Sequence, residues 1–128
     1  MKPTILIVDD DELICELYSD FFKQNGYLPQ TALTVDRALA IIKKEAPGII
    51  LSDVVMPVKN GIDLYKELQS HKPKIPFVFM TGYQHDPKII SQLDSLDVKW
   101  ISKPTELDVL FHTVDDVYKA NVRTDSAA

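Results

Sequence analysis

The sequence predicts a doubly wound α/β fold in which five parallel strands alternate with five helices. Short apolar runs alternate along the chain with stretches whose apolar residues recur every three or four positions, the spacing of a helix that buries one face. Several of the runs are almost continuously apolar, as in strands that are buried on both faces of a parallel sheet. This alternation predicts successive βα units with helices on both sides of the sheet.

The predicted elements follow one another in a regular order. Strands are expected at 4–8, 27–32, 48–52, 77–81 and 98–102. The helical spacing is clearest after the first, second and fifth strands, in the groups Leu13, Ile14, Leu17, Tyr18, Phe21 and Phe22; Val35, Ala38, Leu39 and Ile42; and Leu107, Leu110, Phe111, Val114 and Tyr118. Shorter helical patterns at 61–71 and 88–96 complete the set.

Turn and capping residues mark several helix ends. Asn25 and Gly26 are typical of a helix C-terminus. Asp86 before Pro87 offers an N-cap followed by proline at the first helical position. Thr105 begins a stretch that resembles a capping box, with Asp in the place where Glu or Gln is usual.

The order of the strands in the sheet is constrained by Pro29. Proline cannot donate to a central ladder, so the second strand is expected at an edge. The order 2-1-3-4-5 of flavodoxin-like three-layer sandwiches places it there, and the sequence is consistent with that order. In such sheets ligands bind at the C-terminal ends of the strands, near the switch between strands 1 and 3.

Length and composition predict one globular domain with a substantial core. The chain has 128 residues, of which 45% are hydrophobic and 26% charged. We expect a domain over residues 1–120 and a flexible C-terminal tail over 121–128. The single cysteine, Cys15, excludes an internal disulfide framework and is compatible with a cytoplasmic location.

Charge and hydropathy exclude some functions from the prediction. The net charge of −5 argues against direct nucleic-acid binding or attachment to a membrane surface. No apolar run approaches the roughly 20 residues of a membrane span. The N-terminus lacks the form of a signal peptide, because its apolar run covers only Ile5 to Val8.

Polar residues stand where four of the predicted strands end. Asp9 and Asp10 follow strand 1, Asp53 follows strand 3, Thr81 ends strand 4 and Lys103 follows strand 5. Because the carboxyl ends of parallel strands meet at one edge of a sheet, three carboxylates, a hydroxyl and an amine are expected in one crevice.

The acidic run Asp9 to Glu12 has two interpretations. Acids at the start of a helix cap it and gain about 0.3–1 kcal/mol from the helix dipole, which would account for an isolated run. Asp53 alters this balance, because like charges about 4 Å apart repel by roughly 4 kcal/mol at an effective dielectric constant of 20. Either a carboxylate stays protonated or a cation binds in addition to Lys103. An all-oxygen site that keeps several waters suits Mg²⁺.

The run therefore divides into two halves. We interpret Asp9 and Asp10 as part of a Mg²⁺ site with Asp53, and Asp11 and Glu12 as the start of a helix. Mg²⁺ usually binds one or two carboxylates together with phosphate oxygens, which indicates phosphoryl transfer to a carboxylate. The nucleophile is expected to be Asp53, the acid set apart from the pair.

These residues resemble the signature of the receiver domain of two-component response regulators, and the chain is similar to the single-domain regulators of chemotaxis. The resemblance covers about residues 4–119. The family has an acidic pair after strand 1, here Asp9-Asp10, and an acceptor aspartate after strand 3, here Asp53. A hydroxyl residue follows at the end of strand 4 and a Lys-Pro pair after strand 5, here Thr81 and Lys103-Pro104, at the family's intervals. The segment "SDVVMPVKNG", residues 52–61, is the most specific piece.

The resemblance implies a role for each site residue. Asp53 accepts a phosphoryl group from a phosphohistidine of a sensor histidine kinase or a histidine phosphotransfer protein. Asp10 and Asp53 ligate Mg²⁺ with the assistance of Asp9, and the backbone carbonyl of Val55 is the third protein ligand. The domain is then a phosphoacceptor with self-catalysed phosphorylation and dephosphorylation, not a turnover enzyme.

The resemblance also implies a switch. Thr81 and Lys103 contact the phosphoryl group, which biases the surface formed by helix 4, strand 5 and helix 5 toward partner binding. Trp100 falls where the family often has an aromatic residue that turns inward when the threonine moves. The alternative is that Trp100 is simply a half-buried strand aromatic.

The sequence departs from the family pattern at three positions. Thr105 stands where many members carry an apolar residue, and helix capping would explain it locally. Val55 and Tyr83 are bulky or apolar where some members carry polar groups that position water. We therefore predict slow hydrolysis of the aspartyl phosphate.

Three alternatives belong to other functional classes. A phosphatase of the haloacid-dehalogenase type would use the spacing of Asp9 and Asp11, but the chain is too short for its cap and Asp53 would have no clear role. A flavodoxin-like cofactor binder would need Ser, Thr and Gly after strand 1. A receiver-like module could also bind partners constitutively, without phosphorylation.

The sequence leaves the setting of the domain open. It contains no DNA-binding or catalytic output domain, so the chain is either a stand-alone regulator or a receiver from a larger regulator or hybrid kinase. Its downstream partner is accordingly a separate protein target or a fused output domain. The expected oligomeric state is a monomer or a phosphorylation-dependent dimer.

Overall fold

The computed structural model describes residues 2–71, 74–83, 85–103 and 105–127, with only the backbone for 123–127. Strands and helices alternate throughout, which confirms the predicted α/β fold. The elements are β1 (Thr4–Val8), α1 (Glu12–Gln24), β2 (Leu28–Ala32), α2 (Val35–Lys44), β3 (Ile49–Asp53), α3 (Gly61–His71), β4 (Phe77–Thr81), α4 (Pro87–Leu96), β5 (Trp100–Ser102) and α5 (Leu107–Ala127).

The five strands form one parallel sheet in the predicted order β2-β1-β3-β4-β5. The strand that contains Pro29 lies at an edge, as proline requires. Helices α1 and α5 pack on one face of the sheet, and α2, α3 and α4 pack on the other. This is the three-layer, doubly wound arrangement of flavodoxin-like folds.

The core lies in two layers because successive strand residues point to opposite faces of the sheet. In β1, Leu6 and Val8 contact the α2–α4 side, whereas Ile5 and Ile7 contact the α1–α5 side. All four are at most 1% exposed. Burying each of these side chains contributes about 1.5–3 kcal/mol, so both helix layers hold the central strands in place.

The predicted ends of several elements are confirmed. Asn25 is the C-cap of α1 and Gly26 adopts a positive φ of 93°. Asp86 is the N-cap of α4 and accepts a hydrogen bond from the Lys88 amide, with Pro87 at the first helical position. Capping residues therefore set these boundaries as the sequence indicated.

The start of α5 differs from the prediction. The helix begins at Leu107, and the Leu110 amide donates to the carbonyl of Glu106. Since the N-cap carbonyl accepts the first intrahelical bond, Glu106 occupies the N-cap position and the capping role predicted for Thr105 is wrong. Pro104 lies outside the described residues.

The C-terminal part of α5 extends into the predicted tail. The backbone is helical as far as Ala127, where the sequence predicts a frayed segment beyond residue 120. The domain boundary at residue 120 stays a prediction. Within the part of the chain that the structure describes, no helix is both long and apolar enough to cross a membrane.

Gly61 sets how closely α3 approaches the end of β3. A Cβ atom at this position would lie 2.1 Å from the carbonyl oxygen of Asp53 and 2.9 Å from Oγ of Ser52. The Gly61 amide also donates to the carbonyl of Val54 at 2.8 Å. The first turn of α3 therefore rests directly on the backbone that carries Asp53, and only glycine leaves room for this contact.

We expect Gly61→Ala to lower the free energy of unfolding by about 1–3 kcal/mol, since the methyl group must displace the backbone of β3. Chemical denaturation with a far-UV circular dichroism readout measures this change. The control is Gly82→Ala, because a Cβ atom there meets no heavy atom within 4 Å. It is expected to change stability by less than about 0.5 kcal/mol. Equal losses in the two variants would contradict this account of Gly61.

Candidate functional site

The sheet brings the predicted site residues together at the C-terminal ends of its strands. Asp9 directly follows β1, and its amide donates to the carbonyl of Ala32 at the end of β2. Asp53 is the last residue of β3 and Thr81 the last residue of β4. Lys103 follows β5, with its amide donating to the carbonyl of Thr81 at 2.8 Å.

Lys103 connects the two buried carboxylates of the site. Its Nζ lies 2.6 Å from Oδ2 of Asp9 and 3.1 Å from Oδ2 of Asp53. Asp9 is 0% exposed and Asp53 is 7% exposed. Charges buried to this extent need a partner, because water cannot solvate them. One ammonium group thus bridges two carboxylates that come from strands far apart in the sequence.

Asp9 is held on both of its carboxylate oxygens. Oδ1 accepts the Asp11 amide at 2.9 Å, and Oδ2 accepts Lys103. The backbone carbonyl of Asp9 accepts Sγ–H of Cys15 at 3.3 Å. Asp9 is therefore fixed in position by α1 and by the residue after β5.

Asp11 has a different role from Asp9 and Asp10. It is the N-cap of α1, and its Oδ1 accepts the amides of Leu13 at 3.0 Å and Ile14 at 3.3 Å. Glu12 is the first residue of the helix, where its negative charge is favoured by the helix dipole. The predicted division of the acidic run into a crevice half and a helix-start half agrees with these contacts.

Three acids are arranged so that they could hold a metal ion. Asp9, Asp10 and Asp53 each offer one carboxylate oxygen, and these oxygens lie within 4.8 Å of one another. Oxygen donors of this kind fit Mg²⁺. Both oxygens of Asp9 already accept hydrogen bonds, which leaves Asp10 and Asp53 as the better placed direct ligands. A ligand role for the Val55 carbonyl stays a prediction.

Burial and charge act in opposite directions on the titrating groups. Burial raises the pKa of Asp53 and Asp9 adds to this, while the charge of Lys103 opposes it. Burial lowers the pKa of Lys103, but its hydrogen bond to Asp9 and the charges of Asp53 and Asp9 outweigh burial and raise it. Lys103 is therefore an ammonium at neutral pH, and it favours the ionised form of Asp53.

Cys15 lies beside the site as a neutral thiol. Burial, with a contribution from the charge of Asp9, raises its pKa to about 11. A thiol with such a pKa is a weak nucleophile and a poor metal ligand at neutral pH. Its contact with the Asp9 carbonyl indicates a packing role.

Thr81 is fully buried at the end of β4, and its Oγ1 accepts the Tyr83 amide at 2.9 Å. Trp100 pairs with Phe79 across β4 and β5 and is half-buried against the core on the α4 side. This position fits the interpretation of Trp100 as a half-buried strand aromatic. Its proposed movement with Thr81 stays a prediction.

The two positions predicted to slow hydrolysis lie in the loops around the site. Val55 packs partly against the core on the α2–α4 side. Tyr83 is 52% exposed and follows Thr81 by two residues. Neither side chain is a carboxylate or an amide that could hold a water molecule against an acyl phosphate.

Two further residues, which no sequence pattern indicated, shape the site. Ser52 is fully buried, and its hydroxyl donates to the carbonyl of Asp53 at 2.9 Å. Gly61 leaves room for α3 against that same carbonyl. Both residues lie inside the segment 52–61, which carries the most specific resemblance to the family. Small residues within that segment were the sequence signal that could have indicated them.

Comparison with known proteins identifies the family. The family model for the response regulator receiver domain matches residues 5–115. The chain belongs to this family. Receiver domains act in two-component systems, bind Mg²⁺ at an acidic pocket, and interact with sensor kinases and output domains; they are in general not turnover enzymes.

Individual relatives place receiver domains in different settings. The chain is 27% identical over 116 residues to the transcriptional regulatory protein GlrR of Escherichia coli. This alignment covers 90% of this chain and 26% of GlrR. It is 30% identical over 120 residues to the autoinducer 1 sensor kinase/phosphatase LuxN of Vibrio campbellii. That alignment covers 94% of this chain and 14% of LuxN. It thus spans only a minor part of these curated relatives.

A solved structure of similar size has the same fold. The chemotaxis protein CheY4 of Vibrio cholerae superposes with a TM-score of 0.82 at 28% sequence identity. The match covers 91% of this chain and 99% of the CheY4 chain. The predicted resemblance to chemotaxis-type receivers is confirmed.

The two halves of the acidic run are expected to respond differently to mutation. Asp10→Ala should weaken Mg²⁺ binding at least about tenfold, because it removes one of the three carboxylates that could hold the ion. Asp11→Ala should lower the stability by about 1 kcal/mol through loss of the N-cap. Its Mg²⁺ affinity should remain nearly unchanged.

Isothermal titration with Mg²⁺ and chemical denaturation measure the two quantities on both variants. Each variant thus serves as the control for the other, since both remove one carboxylate from the same run. Equal losses of Mg²⁺ affinity would overturn the division.

Proposed function

We propose that this receiver domain, comprising residues 1–120, accepts a phosphoryl group on Asp53 in a Mg²⁺-dependent reaction. The donor is a phosphohistidine of a sensor histidine kinase or a histidine phosphotransfer protein. The observation that carries the proposal is the bridge from Lys103 to Asp9 and Asp53. A partly buried ammonium beside a buried carboxylate is suited to an acceptor that must stay ionised and then carry added negative charge.

In the proposed reaction, a carboxylate oxygen of Asp53 attacks the phosphorus atom of the phosphohistidine. The new P–O bond forms as the P–N bond breaks, and the electron pair of that bond leaves on the imidazole nitrogen. Asp10, Asp53 and the Val55 carbonyl would hold Mg²⁺, with Asp9 assisting. When bound, Mg²⁺ neutralises negative charge on the transferred oxygens.

The chain's own residues then stabilise the product. Lys103 exchanges a carboxylate partner for a phosphoryl oxygen, which keeps its charge compensated. The hydroxyl of Thr81 accepts the Tyr83 amide through its oxygen, so its proton remains available for a phosphoryl oxygen. These contacts are possible in only one arrangement of the loops after β4 and β5.

Exposed apolar residues near the C-terminal edge of the sheet support a protein as the phosphoryl donor. Leu13 is 75% exposed on the first turn of α1, and Val58 is 101% exposed in the loop after β3. Tyr83 projects from the loop after β4. These residues lie at the same edge of the sheet as Asp53, and exposed apolar side chains around a site are typical of a docking surface.

The proposed effect of phosphorylation on partner binding depends on the connection between Thr81 and β5. Thr81 pairs with Ser102, and its carbonyl accepts the Lys103 amide. Contacts of Thr81 and Lys103 with a phosphoryl group therefore act on the end of β5 and bias the surface formed by α4, β5 and α5. Trp100 lies on this strand and would report the change.

The cellular setting is part of the proposal. The domain acts in the cytoplasm, without direct contact to nucleic acid or membrane, as a monomer or a phosphorylation-dependent dimer. Its downstream partner is a separate protein or a fused output domain, as the names of GlrR and LuxN illustrate for those relatives. A constitutive interaction module is less favoured, because it would not require an ammonium that bridges two buried carboxylates.

Phosphorylation is tested with acetyl phosphate, or beryllofluoride, and Mg²⁺. We expect an added phosphoryl mass with acetyl phosphate and a change in Trp100 fluorescence with either reagent, both abolished in Asp53→Asn. The control Asp11→Asn makes the same chemical change nearby and retains a good N-cap, so it should respond like the wild type. A phosphoryl mass that persists in Asp53→Asn would refute the proposed acceptor.

The lifetime of the aspartyl phosphate depends on how water is positioned. We expect Val55→Asn/Tyr83→Glu to shorten it by about tenfold or more, because an amide and a carboxylate can orient an attacking water. Loss of phosphoryl mass over time provides the measurement. The control Val55→Leu/Tyr83→Phe introduces neither a carboxylate nor an amide and should leave the lifetime unchanged. An unshortened lifetime in the polar variant would contradict the prediction.

A further inference from the structure

The sheet has an open edge at β2, on the side opposite to β5. The carbonyl of Ala32 accepts the amide of Asp9, the residue after β1, at 3.1 Å. Successive residues of a strand direct their backbone groups alternately to its two sides, so Pro29 and Thr31 direct theirs away from β1. Because proline has no amide hydrogen, the open edge offers the carbonyl of Pro29 and both the amide and the carbonyl of Thr31.

A groove lies between this open edge and α2. Gln30 and Thr31 line it from the strand, and Ala40 and Ile41 line it from the helix. Gln30 is two residues from Ala32, which packs into the core on the α2 side, so both side chains lie on that face of the sheet. We refer to the groove lined by Gln30, Thr31, Ala40 and Ile41 as the β2 edge groove.

Two cationic side chains border the β2 edge groove on α2. Arg37 and Lys44 line it, both are exposed, and they lie about 10 Å apart along one side of the helix. Among the residues that the structure describes, neither forms an ion pair, whereas Asp36 is paired with Lys59 at 3.0 Å. Glu45 also lines the groove, which leaves an excess of positive charge there in a chain whose net charge is −5.

We propose that the β2 edge groove binds an extended acidic segment of a partner protein, which pairs with β2 as an added parallel strand. Two alternate residues of such a segment donate to the carbonyls of Pro29 and Thr31, and the first of them accepts the Thr31 amide. The side chains of these two residues point to the α2 side, where Arg37 and Lys44 favour carboxylates. Side chains two and four positions apart on a strand are about 7 and 13 Å apart, which brackets the spacing of the two cations.

Backbone and charge together disfavour two other occupants. A second copy of this chain that paired its β2 with this one in a continuous sheet would bring Arg37 and Lys44 of both copies together, and like charges across an interface repel. Nucleic acid would contact the two cations but leave the backbone groups of Thr31 without partners, and Glu45 would face its phosphates. An acidic polypeptide uses both the cations and the open edge.

The test uses a labelled synthetic peptide of about eight residues in which glutamate and threonine alternate, so that all carboxylates lie on one face of a strand. Fluorescence anisotropy in about 0.1 M salt gives its dissociation constant. Arg37→Glu/Lys44→Glu should weaken binding about tenfold, through loss of two exposed ion pairs and the new repulsion. Arg37→Gln/Lys44→Gln, which removes the charges without reversing them, should weaken it about threefold.

The control Lys66→Glu/Lys88→Glu makes the same change of net charge at exposed positions of α3 and α4, neither of which lines the groove. It should alter the dissociation constant by less than about twofold, because salt screens charges that make no direct contact. Equal weakening by the two glutamate variants would overturn the proposal. Equal binding of a peptide with lysines in place of glutamates would overturn it as well.

Pairing through the backbone is tested with two N-methylated forms of the same peptide. Methyl groups on the glutamate amides remove the donors to Pro29 and Thr31 and should weaken binding at least about tenfold. Methyl groups on the threonine amides, which face away from β2, should weaken it by less than about threefold. Equal effects of the two methylations would contradict strand addition.

The other occupants are decided with the unmodified chain. Sedimentation equilibrium should show a monomer, and a dimer that the glutamate peptide dissociates would assign the groove to a second copy and overturn the proposal. A single-stranded oligonucleotide of the same length should fail to displace the labelled peptide. Displacement by the oligonucleotide would likewise overturn the proposal. The inference does not depend on phosphorylation of Asp53, so Asp53→Asn should bind the peptide with the same affinity as the wild type.

Discussion

The interaction on which the site depends is the bridge from the Lys103 ammonium to the carboxylates of Asp9 and Asp53. The carboxylates lie at the ends of β1 and β3, neighbours in the sheet, and the ammonium comes from the end of β5. Without Lys103, two buried negative charges would face each other, and an uncompensated buried charge costs several kcal/mol. The bridge thus compensates the negative charges of both carboxylates.

Contacts from several helices and strands fix the positions of the residues that form this bridge. Asp11 caps α1 with its side chain and fixes Asp9 with its amide, so one short segment orients both a helix and a carboxylate. Gly61 lets α3 rest on the backbone of Asp53. The Lys103 amide is bonded to Thr81, which joins the last two strands at the site. Backbone hydrogen bonds therefore connect the edge of the sheet that carries Asp53 with the end of β5.

Most of the fold could be predicted because it depends on periodicity that is local in the sequence. The apolar runs and the three- and four-residue spacing place all five strands and helices, and Pro29 marks the edge strand. The prediction failed at the start of the last helix. Glu106 occupies the N-cap of α5 in place of Thr105, because a single residue's register at a helix start depends on the packing of the helix as well as on the cap preference.

The sequence by itself determined which chemical groups meet at the C-terminal edge of the sheet, since every parallel strand ends there. Only the tertiary structure decided how those groups are paired. It buries Asp9 with Lys103 and leaves Asp10 exposed, although the two acids are adjacent in the sequence. It also sets Ser52 and Gly61 against the Asp53 carbonyl. These contacts depend on distances between segments that are far apart along the chain, and such distances are defined only when the sheet and its helices pack.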